Sequence, residues 1–159
     1  MLKSPILFSA LLLSGAAVAS DSRCFANGDV YMVSKFGSAF RGDDNLKIRK
    51  QRYGTQDYYL ESDTTSGTNA PVTLLLQRPG KGLCVVLSTP PVATLKAAKF
   101  DRQGRPITFV AVDQGTNSQE VTYKWDSATV QFHPVGCKEV SWIKKRRASK
   151  AVACRSVLE

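Results

Sequence analysis

The chain has 159 residues, of which 43% are hydrophobic, 9% aromatic and 22% charged. This composition is typical of a globular protein and excludes a disordered, collagen-like or long coiled-coil chain. The formal net charge of +9 favours acidic or otherwise anionic partners.

The first 19 residues have the order of a secretory signal peptide. Lys3 precedes an apolar centre at residues 6–13, and the small residues Ala17-Val18-Ala19 form the expected cleavage site. The apolar stretch covers about 14 residues, fewer than the roughly 18–20 that a membrane-spanning helix requires. We therefore predict that residues 1–19 are removed on export, and that residues 20–159 form a single secreted or periplasmic domain.

All the cysteines lie after the predicted cleavage site. An even number of cysteines in an exported chain favours two disulfides, and three pairings are open. Their wide spacing lacks the close Cys-x-x-Cys pairs of a zinc site, so we expect no metal and no other cofactor. The predicted disulfide cysteines are Cys24, Cys84, Cys137 and Cys154.

Nearly every segment after the signal peptide has the pattern of a β-strand. The segments are rich in β-branched and aromatic residues or alternate apolar with polar, and turn-forming residues bound them. In chain order the predicted strands are residues 29–36, 46–49, 57–61, 72–77, 83–88, 95–100, 107–112, 121–125 and 130–132. About eight or nine antiparallel strands indicate a mainly β fold, and a sandwich, a barrel and a bent sheet all remain open.

The connection between residues 95–100 and 107–112 has the clearest turn signal. Asp101 in the first position and Gly104 in the fourth favour a type I turn followed by a left-handed residue. This pattern predicts a tight antiparallel hairpin.

The C-terminal segment, residues 138–159, is ambiguous. Positions 140, 143, 151 and 154 fall near one helical face, whereas residues 140–142 alternate like a strand. A continuous helix from Cys137 to Cys154 would be about 25 Å long, and bonded cysteines need Cα atoms within about 7 Å. We expect a short basic helix here, with both cysteines bonded to Cys24 and Cys84, whereas a hairpin would instead permit a bond between Cys137 and Cys154.

Two basic surfaces are candidates for partner binding. One combines arginine and tyrosine, the residue types enriched at protein interfaces, and ordinary strand packing is the alternative explanation. It comprises Arg49, Lys50, Arg52, Tyr53, Tyr58 and Tyr59. The other is a run of four cations in the C-terminal segment, for which a solvated face is the alternative. It comprises Lys144, Lys145, Arg146 and Arg147.

No catalytic constellation stands out. The single histidine, His133, excludes a histidine-rich metal site, and neither a nucleophile elbow nor a distinct pair of carboxylates accompanies it. The tripeptide Arg41-Gly42-Asp43 is interpreted as a turn, with integrin recognition as the alternative in a host-associated organism. We therefore expect no enzyme activity.

The sequence favours an exported binding protein that caps or neutralises an acidic protein, such as a periplasmic inhibitor or immunity protein. The alternative is binding to an anionic envelope polymer or membrane surface through the basic C-terminal segment, and a glycosidase-like hydrolase is a weaker third hypothesis. Nucleic acid is not expected as a partner, because aromatic residues for base stacking are not interleaved with the charges. A membrane-spanning form is not expected either.

Overall fold

The computed structural model describes residues 23–38, 40, 46–63, 68–115, 117–143 and 146–154. The predicted signal peptide and the tripeptide Arg41-Gly42-Asp43 lie outside these residues. The interpretations given for both remain predictions.

The described chain is mainly β, with ten strands and one α-helix. The eight strands predicted from residue 46 onwards each overlap a strand of the structure, although the last of them, residues 130–132, reaches only the start of a strand that runs to Ile143. In chain order the elements are β1 (Cys24–Phe25), α1 (Gly28–Phe36), β2 (Leu46–Tyr53), β3 (Gln56–Asp63), β4 (Thr73–Arg78), β5 (Gly82–Ser88), β6 (Thr94–Phe100), β7 (Pro106–Val112), β8 (Asn117–Asp126), β9 (Gln131–Ile143) and β10 (Arg146–Val152).

The strands form two five-stranded antiparallel sheets. Sheet I has the order β1-β5-β4-β3-β2, and sheet II has the order β10-β9-β8-β7-β6. Inward-facing side chains of both sheets meet in one buried cluster, which includes Leu60 and Leu74 of sheet I and Phe109 and Val121 of sheet II. Of the three closures that the sequence left open, the described strands adopt the face-to-face packing of a sandwich.

The sheets stack in matching strand order. On one side β1 and β5 lie near β9, where Arg23 Nη1 donates to Gln131 Oε1 at 3.1 Å. On the other side the rings of Tyr53 in β2 and Phe109 in β7 pack edge to face, with centroids 5.0 Å apart. The end strands β2 and β6 therefore lie on the same side of the molecule, opposite β1 and β10.

Residues 29–36 form a helix, so the strand predicted for this segment is wrong. The side chain of Asn27 caps α1 by accepting a hydrogen bond from Val30 N at 3.0 Å. Tyr31 and Met32 are buried against the outer face of sheet I, in a second apolar cluster. Tertiary burial of these residues and the N-terminal cap outweigh the modest strand preference of valine and tyrosine.

The expected C-terminal helix and the crossed disulfides are also wrong. β10 pairs with β9 from Arg146↔Ile143 to Val152↔Cys137. This hairpin returns the chain, so that Cys137 and Cys154 bond to each other with Cα atoms 5.0 Å apart. Cys24 bonds to Cys84, its direct partner across β1 and β5. The strand-like alternation of residues 140–142 was the correct signal.

The predicted hairpin between β6 and β7 is confirmed. Asp101 Oδ1 accepts hydrogen bonds from the backbone N–H groups of Gln103 and Arg105, both at 2.9 Å. Gly104 has the left-handed φ of 76° that the turn requires. The short-range signal was sufficient because this turn is stabilised by contacts within five residues.

Candidate functional site

β2 carries the first predicted basic surface and lies at the end of sheet I. All eight of its residues pair with β3, from Leu46↔Asp63 to Tyr53↔Gln56, without a bulge. The described strands leave the other side of β2 unpaired. A regular end strand of this kind presents a row of backbone donors and acceptors, although Arg52 O accepts a hydrogen bond from Gln51 Nε2 at 3.3 Å.

The cations of β2 point to both faces of sheet I. Arg49 lies opposite Leu60, which faces the core, so Arg49 is on the inner face at its exposed rim. Lys50 lies opposite Tyr59, and Arg52 opposite Asp57, so both are on the outer face. A partner beside this strand would meet positive charge on either face.

Lys50 and Arg52 share one acidic neighbour, Asp57. Lys50 Nζ lies 2.7 Å from Asp57 Oδ2, and Arg52 Nε lies 3.9 Å from Asp57 Oδ1. The hydrogen bond between Lys50 and Asp57 raises the pKa of the lysine and lowers the pKa of the carboxyl group. Because one carboxylate faces two well-exposed cations, a net positive charge remains at this point of the surface.

Two of the predicted tyrosines belong to the core between the sheets. Tyr58 is only 3% exposed, and its ring packs against Phe109 with centroids 5.9 Å apart. Burial raises the pKa of Tyr58 to about 12. Burial also raises the pKa of Tyr53, while the nearby Arg49 charge opposes that rise. These rings pack beneath β2 and β3 in the core, and the buried Tyr58 offers no surface for contact with a partner.

The end strand of sheet II, β6, adds further cations beside β2. Thr55 N in the β2–β3 turn donates to Gly104 O at 2.9 Å, and Thr55 Oγ1 donates to Gln103 O at 2.7 Å. β2 and β6 together hold six basic residues and no acidic one. We call this surface the basic edge, and it comprises Lys47, Arg49, Lys50, Arg52, Lys96 and Lys99.

Several charges of the basic edge are unpaired. Arg49, Lys96 and Lys99 are exposed, and none has an ion pair with a residue that the structure describes. Unpaired, solvated cations raise the local positive potential without a compensating carboxylate. The basic edge is therefore suited to attract an acidic partner.

An open groove of about 600 Å³ runs between α1 and the outer face of β2 and β3. Its apolar lining includes Met32 of α1, Ile48 of β2, Tyr59 of β3 and Leu83 of β5. Tyr59, the third predicted tyrosine, thus lies in this groove and not in the core. The groove places an apolar surface directly beside the cations of β2.

A partly buried polar cluster holds α1 in place as one wall of the groove. Glu61 of β3 is 7% exposed, and Lys35 Nζ lies 2.7 Å from both of its carboxylate oxygens. The Tyr31 hydroxyl donates to the same carboxylate. Burial, and then this hydrogen bond, raise the pKa of Tyr31 well above its usual value. These bonds fix α1 over sheet I.

The predicted C-terminal basic surface lies away from the basic edge. Lys144 and Lys145 are outside the described residues, and Arg146 and Arg147 begin β10, at the opposite end of sheet II from β6. Arg147 Nη2 lies 2.7 Å from Glu120 Oε2, and Lys138 Nζ lies 3.5 Å from Glu120 Oε1. The structure does not bring the two predicted basic surfaces together.

No protein family, curated protein or solved structure matches this chain. Within the described ranges, no group of three or more histidine, cysteine, aspartate or glutamate side chains is placed to hold a metal ion. In the same part of the chain, no helix is long and apolar enough to cross a membrane.

Sequence reasoning missed two parts of the site, the lysines of β6 and the apolar groove. Lys96 and Lys99 sit in a strand without acidic residues, and that signal was present in the sequence. Their proximity to β2 depends on the stacking of the two sheets, which no local pattern encodes. The groove was missed because its wall, α1, was predicted as a strand.

Proposed function

We propose that this protein is an exported, non-enzymatic binding protein that uses the basic edge to cap or neutralise an acidic protein. Periplasmic inhibitors and immunity proteins act in this manner. The observation that carries the proposal is the juxtaposition of two end strands with six basic and no acidic residues. Complementary charge speeds the encounter with an acidic protein and disfavours cationic ones.

The surroundings of the basic edge favour a protein over a simple polyanion. A linear polyanion needs positive charge alone, whereas this surface also offers unpaired strand backbone and an apolar groove. Protein interfaces combine an apolar centre with a polar or charged rim. The combination on β2 matches that composition.

Two disulfides and the absence of free cysteines among the described residues support export, because such bonds persist in oxidising compartments. The proposed mature chain begins at Ser20. N-terminal sequencing of the natural product tests this start, and an intact Met1 would contradict it.

Charge-reversal variants test which basic surface binds. The edge variant carries Arg49→Glu, Lys96→Glu and Lys99→Glu, and the matched tail variant carries Lys144→Glu, Lys145→Glu and Lys150→Glu. Both change the net charge equally. Each purified protein captures partners from the native envelope fraction at moderate salt, with quantification by mass spectrometry. We expect the edge variant to lose an acidic protein that the wild-type chain and the tail variant retain in stoichiometric amount.

The second candidate function is binding to an anionic envelope polymer through the C-terminal basic surface. Its support is the position of Arg146 and Arg147 at the start of β10, directly after the run Lys144-Lys145. It predicts that only the tail variant loses binding, and that binding falls steeply with salt concentration. That outcome would replace the first proposal.

A further inference from the structure

We infer that the partner binds by strand addition, so that an extended acidic segment pairs with the side of β2 that the described strands leave unpaired and places an apolar side chain in the groove beside α1. This inference rests on the proposed function and specifies its binding mode. Three features of the structure support it: the regularity of β2, the arrangement of its charges, and the position of the groove.

β2 is the end strand best suited to accept another strand. Its eight pairs with β3 continue without interruption. β6, the other strand of the basic edge, has register shifts between Ala97 and Lys99 and between Lys99 and Phe100. Such bulges twist an end strand away from further pairing. β2 has no comparable protection in its backbone.

β10 is also free of bulges, but its surroundings fit an acidic strand less well. Lys150 lies opposite Glu139, and Arg147 is paired with Glu120. The cleft beside β10 is lined mainly by residues with short or polar side chains, which include Asn117, Gln119 and Glu139, and it contains no large apolar side chain. Each of these end strands has a cation paired with a carboxylate of its own sheet, Arg147 with Glu120 and Lys50 with Asp57, so the apolar side chains of the groove beside β2 make the difference.

The side chains on the outer face of β2 change from apolar to basic along the strand. Ile48 lies at one end, beside the apolar groove, and Lys50 and Arg52 follow at alternate positions. The groove is bordered by one acidic and one basic residue, Asp29 of α1 and Lys47 of β2, so its apolar side chains decide which residue it accepts. An added strand would therefore place an apolar residue beside Ile48 and acidic residues beside Lys50 and Arg52.

The charge pattern also selects against a second copy of this chain as the occupant. Pairing of β2 with another β2 would bring basic strands side by side, and like charges on neighbouring strands are destabilising. An acidic segment turns the same cations into cross-strand pairs. The basic residues of β2 thus favour strand addition by an acidic partner alone.

Peptides test this binding mode with the intact disulfide-bonded protein. The probe is the capped peptide Glu-Thr-Glu-Thr-Leu-Thr-Glu-Thr-Glu, whose leucine and glutamates share one face in either strand direction. Two control peptides carry N-methyl groups, one on the threonines and the other on the leucine and glutamates. Because alternate amides of a strand point to opposite sides, each methylated set blocks only one of its edges. A third control replaces the leucine by serine.

Strand addition predicts an asymmetry between the two methylated peptides. One should lose binding by at least about tenfold, and the other should bind like the parent. The serine peptide should bind about tenfold more weakly, because it lacks the side chain for the groove. Hydrogen exchange should slow at amides of β2 when the parent peptide is bound.

Matched protein variants locate the peptide. Lys50→Gln with Arg52→Gln removes two cations from β2, and Arg147→Gln with Lys150→Gln removes two from β10. We expect only the β2 variant to weaken binding, by about tenfold. Loss of binding in the β10 variant alone would place the peptide beside β10 and not beside β2, and would overturn the inference.

The failures of the inference and of the proposed function are distinguishable. If both methylated peptides bind like the parent, charge attracts the acidic segment without backbone pairing, so strand addition is wrong and the proposed function stands. If no peptide binds while the wild-type chain still captures an acidic protein through the basic edge, strand addition is again wrong. If neither the peptide nor an acidic protein binds, both proposals fail.

Discussion

The two sides of the sandwich are held together differently. On the side of β1 and β10, which we call the stapled side, Cys24–Cys84 joins β1 to β5 and Cys137–Cys154 closes the β9–β10 hairpin. On the side of the basic edge no disulfide is present among the described residues, and the sheets meet through packed turns and rings. Among the described residues, covalent bonds are therefore confined to one side of the sandwich, and the other side is held by noncovalent contacts.

Removal of the disulfides has the largest expected effect on stability. Loop-closure entropy predicts a loss of about 4 kcal/mol for Cys24→Ala with Cys84→Ala, and of about 3 kcal/mol for Cys137→Ala with Cys154→Ala. The first pair costs more because its sequence separation is 60 residues, against 17 for the second. Urea unfolding of each double variant measures the difference. Equal losses would show that loop length does not set the contribution of each disulfide.

On the side of the basic edge, a contact between the β2–β3 and β6–β7 turns joins the two sheets. Gly54 has φ 59°, and an added Cβ would collide with Gly104 O and lie 2.8 Å from Phe100 Cε1. Gly54→Ala should therefore cost about 3 kcal/mol from backbone strain and overpacking together. The matched control is Gly80→Ala, where φ is 71° but no atom lies within 4 Å of the new Cβ.

The control should lose only about 1 kcal/mol, the cost of the left-handed backbone. Thermal unfolding of both variants measures the contrast. If the two substitutions cost the same, the contact between the β2–β3 and β6–β7 turns does not hold the sheets together on this side.

Unfolding at alkaline pH compares how strongly core tyrosines are buried near the two sides of the sandwich. Tyr58 lies behind the basic edge and Tyr123 near the stapled side, and burial raises the pKa of each to about 12 from 10.0. Between pH 10 and 12 the unfolded chain releases phenolic protons that the folded chain keeps, so stability falls as the pH rises. Each tyrosine accounts for up to about 3 kcal/mol of that fall.

Tyr58→Phe and Tyr123→Phe should therefore each reduce the slope of stability against pH in this range by a similar amount. Urea unfolding at a series of pH values measures the slopes. A smaller reduction for Tyr58→Phe would show that water reaches the core more easily from the side of the basic edge.

The smallest expected effect is a gain in stability at neutral pH. The hydroxyl of Tyr123 is buried without a hydrogen-bond partner among the described residues. Tyr123→Phe removes this unsatisfied group and should stabilise the fold by about 1 kcal/mol. Tyr31→Phe is the matched control, and it should destabilise because Tyr31 donates to Glu61.

Differential scanning calorimetry distinguishes the two phenylalanine variants. A loss of stability in Tyr123→Phe would mean that the phenol has a partner in the adjoining cleft of about 210 Å³, which Gln131 and His133 also line. The stapled side would then also contain a buried polar site.

Much of the fold could be predicted from the sequence, because strand alternation and turn chemistry are local. Eight of the nine strands from residue 46 onwards, and the turn at Asp101, follow from side chains within a few positions of one another. The segment 29–36 could not be predicted in this way, because burial of Tyr31 and Met32 against sheet I decides its conformation. In the C-terminal hairpin, residues 140–142 alternate like a strand, but the apolar positions of this segment also fall near one helical face. The sequence alone therefore did not decide between a hairpin and a helix.

The residues of the candidate site also divide into those that the sequence identified and those that only the tertiary structure placed at the site. Arg49, Lys50 and Arg52 were identified from their spacing in one strand, and the structure places them on an exposed end strand. Tyr58 was grouped with them although alternation turns its side chain into the core. Lys96 and Lys99 were not identified, because about 45 residues separate them from β2 in the chain.

The sequence by itself determined the number of cysteines, the positive charge, the β-rich character and the positions of most strands. These properties depend on composition or on neighbours along the chain. Only the tertiary structure decided the disulfide pairing, the helix over sheet I and the meeting of β2 with β6. Each of these depends on which distant segments share buried surface, because the free energy of burial belongs to the packed pair and to neither segment alone.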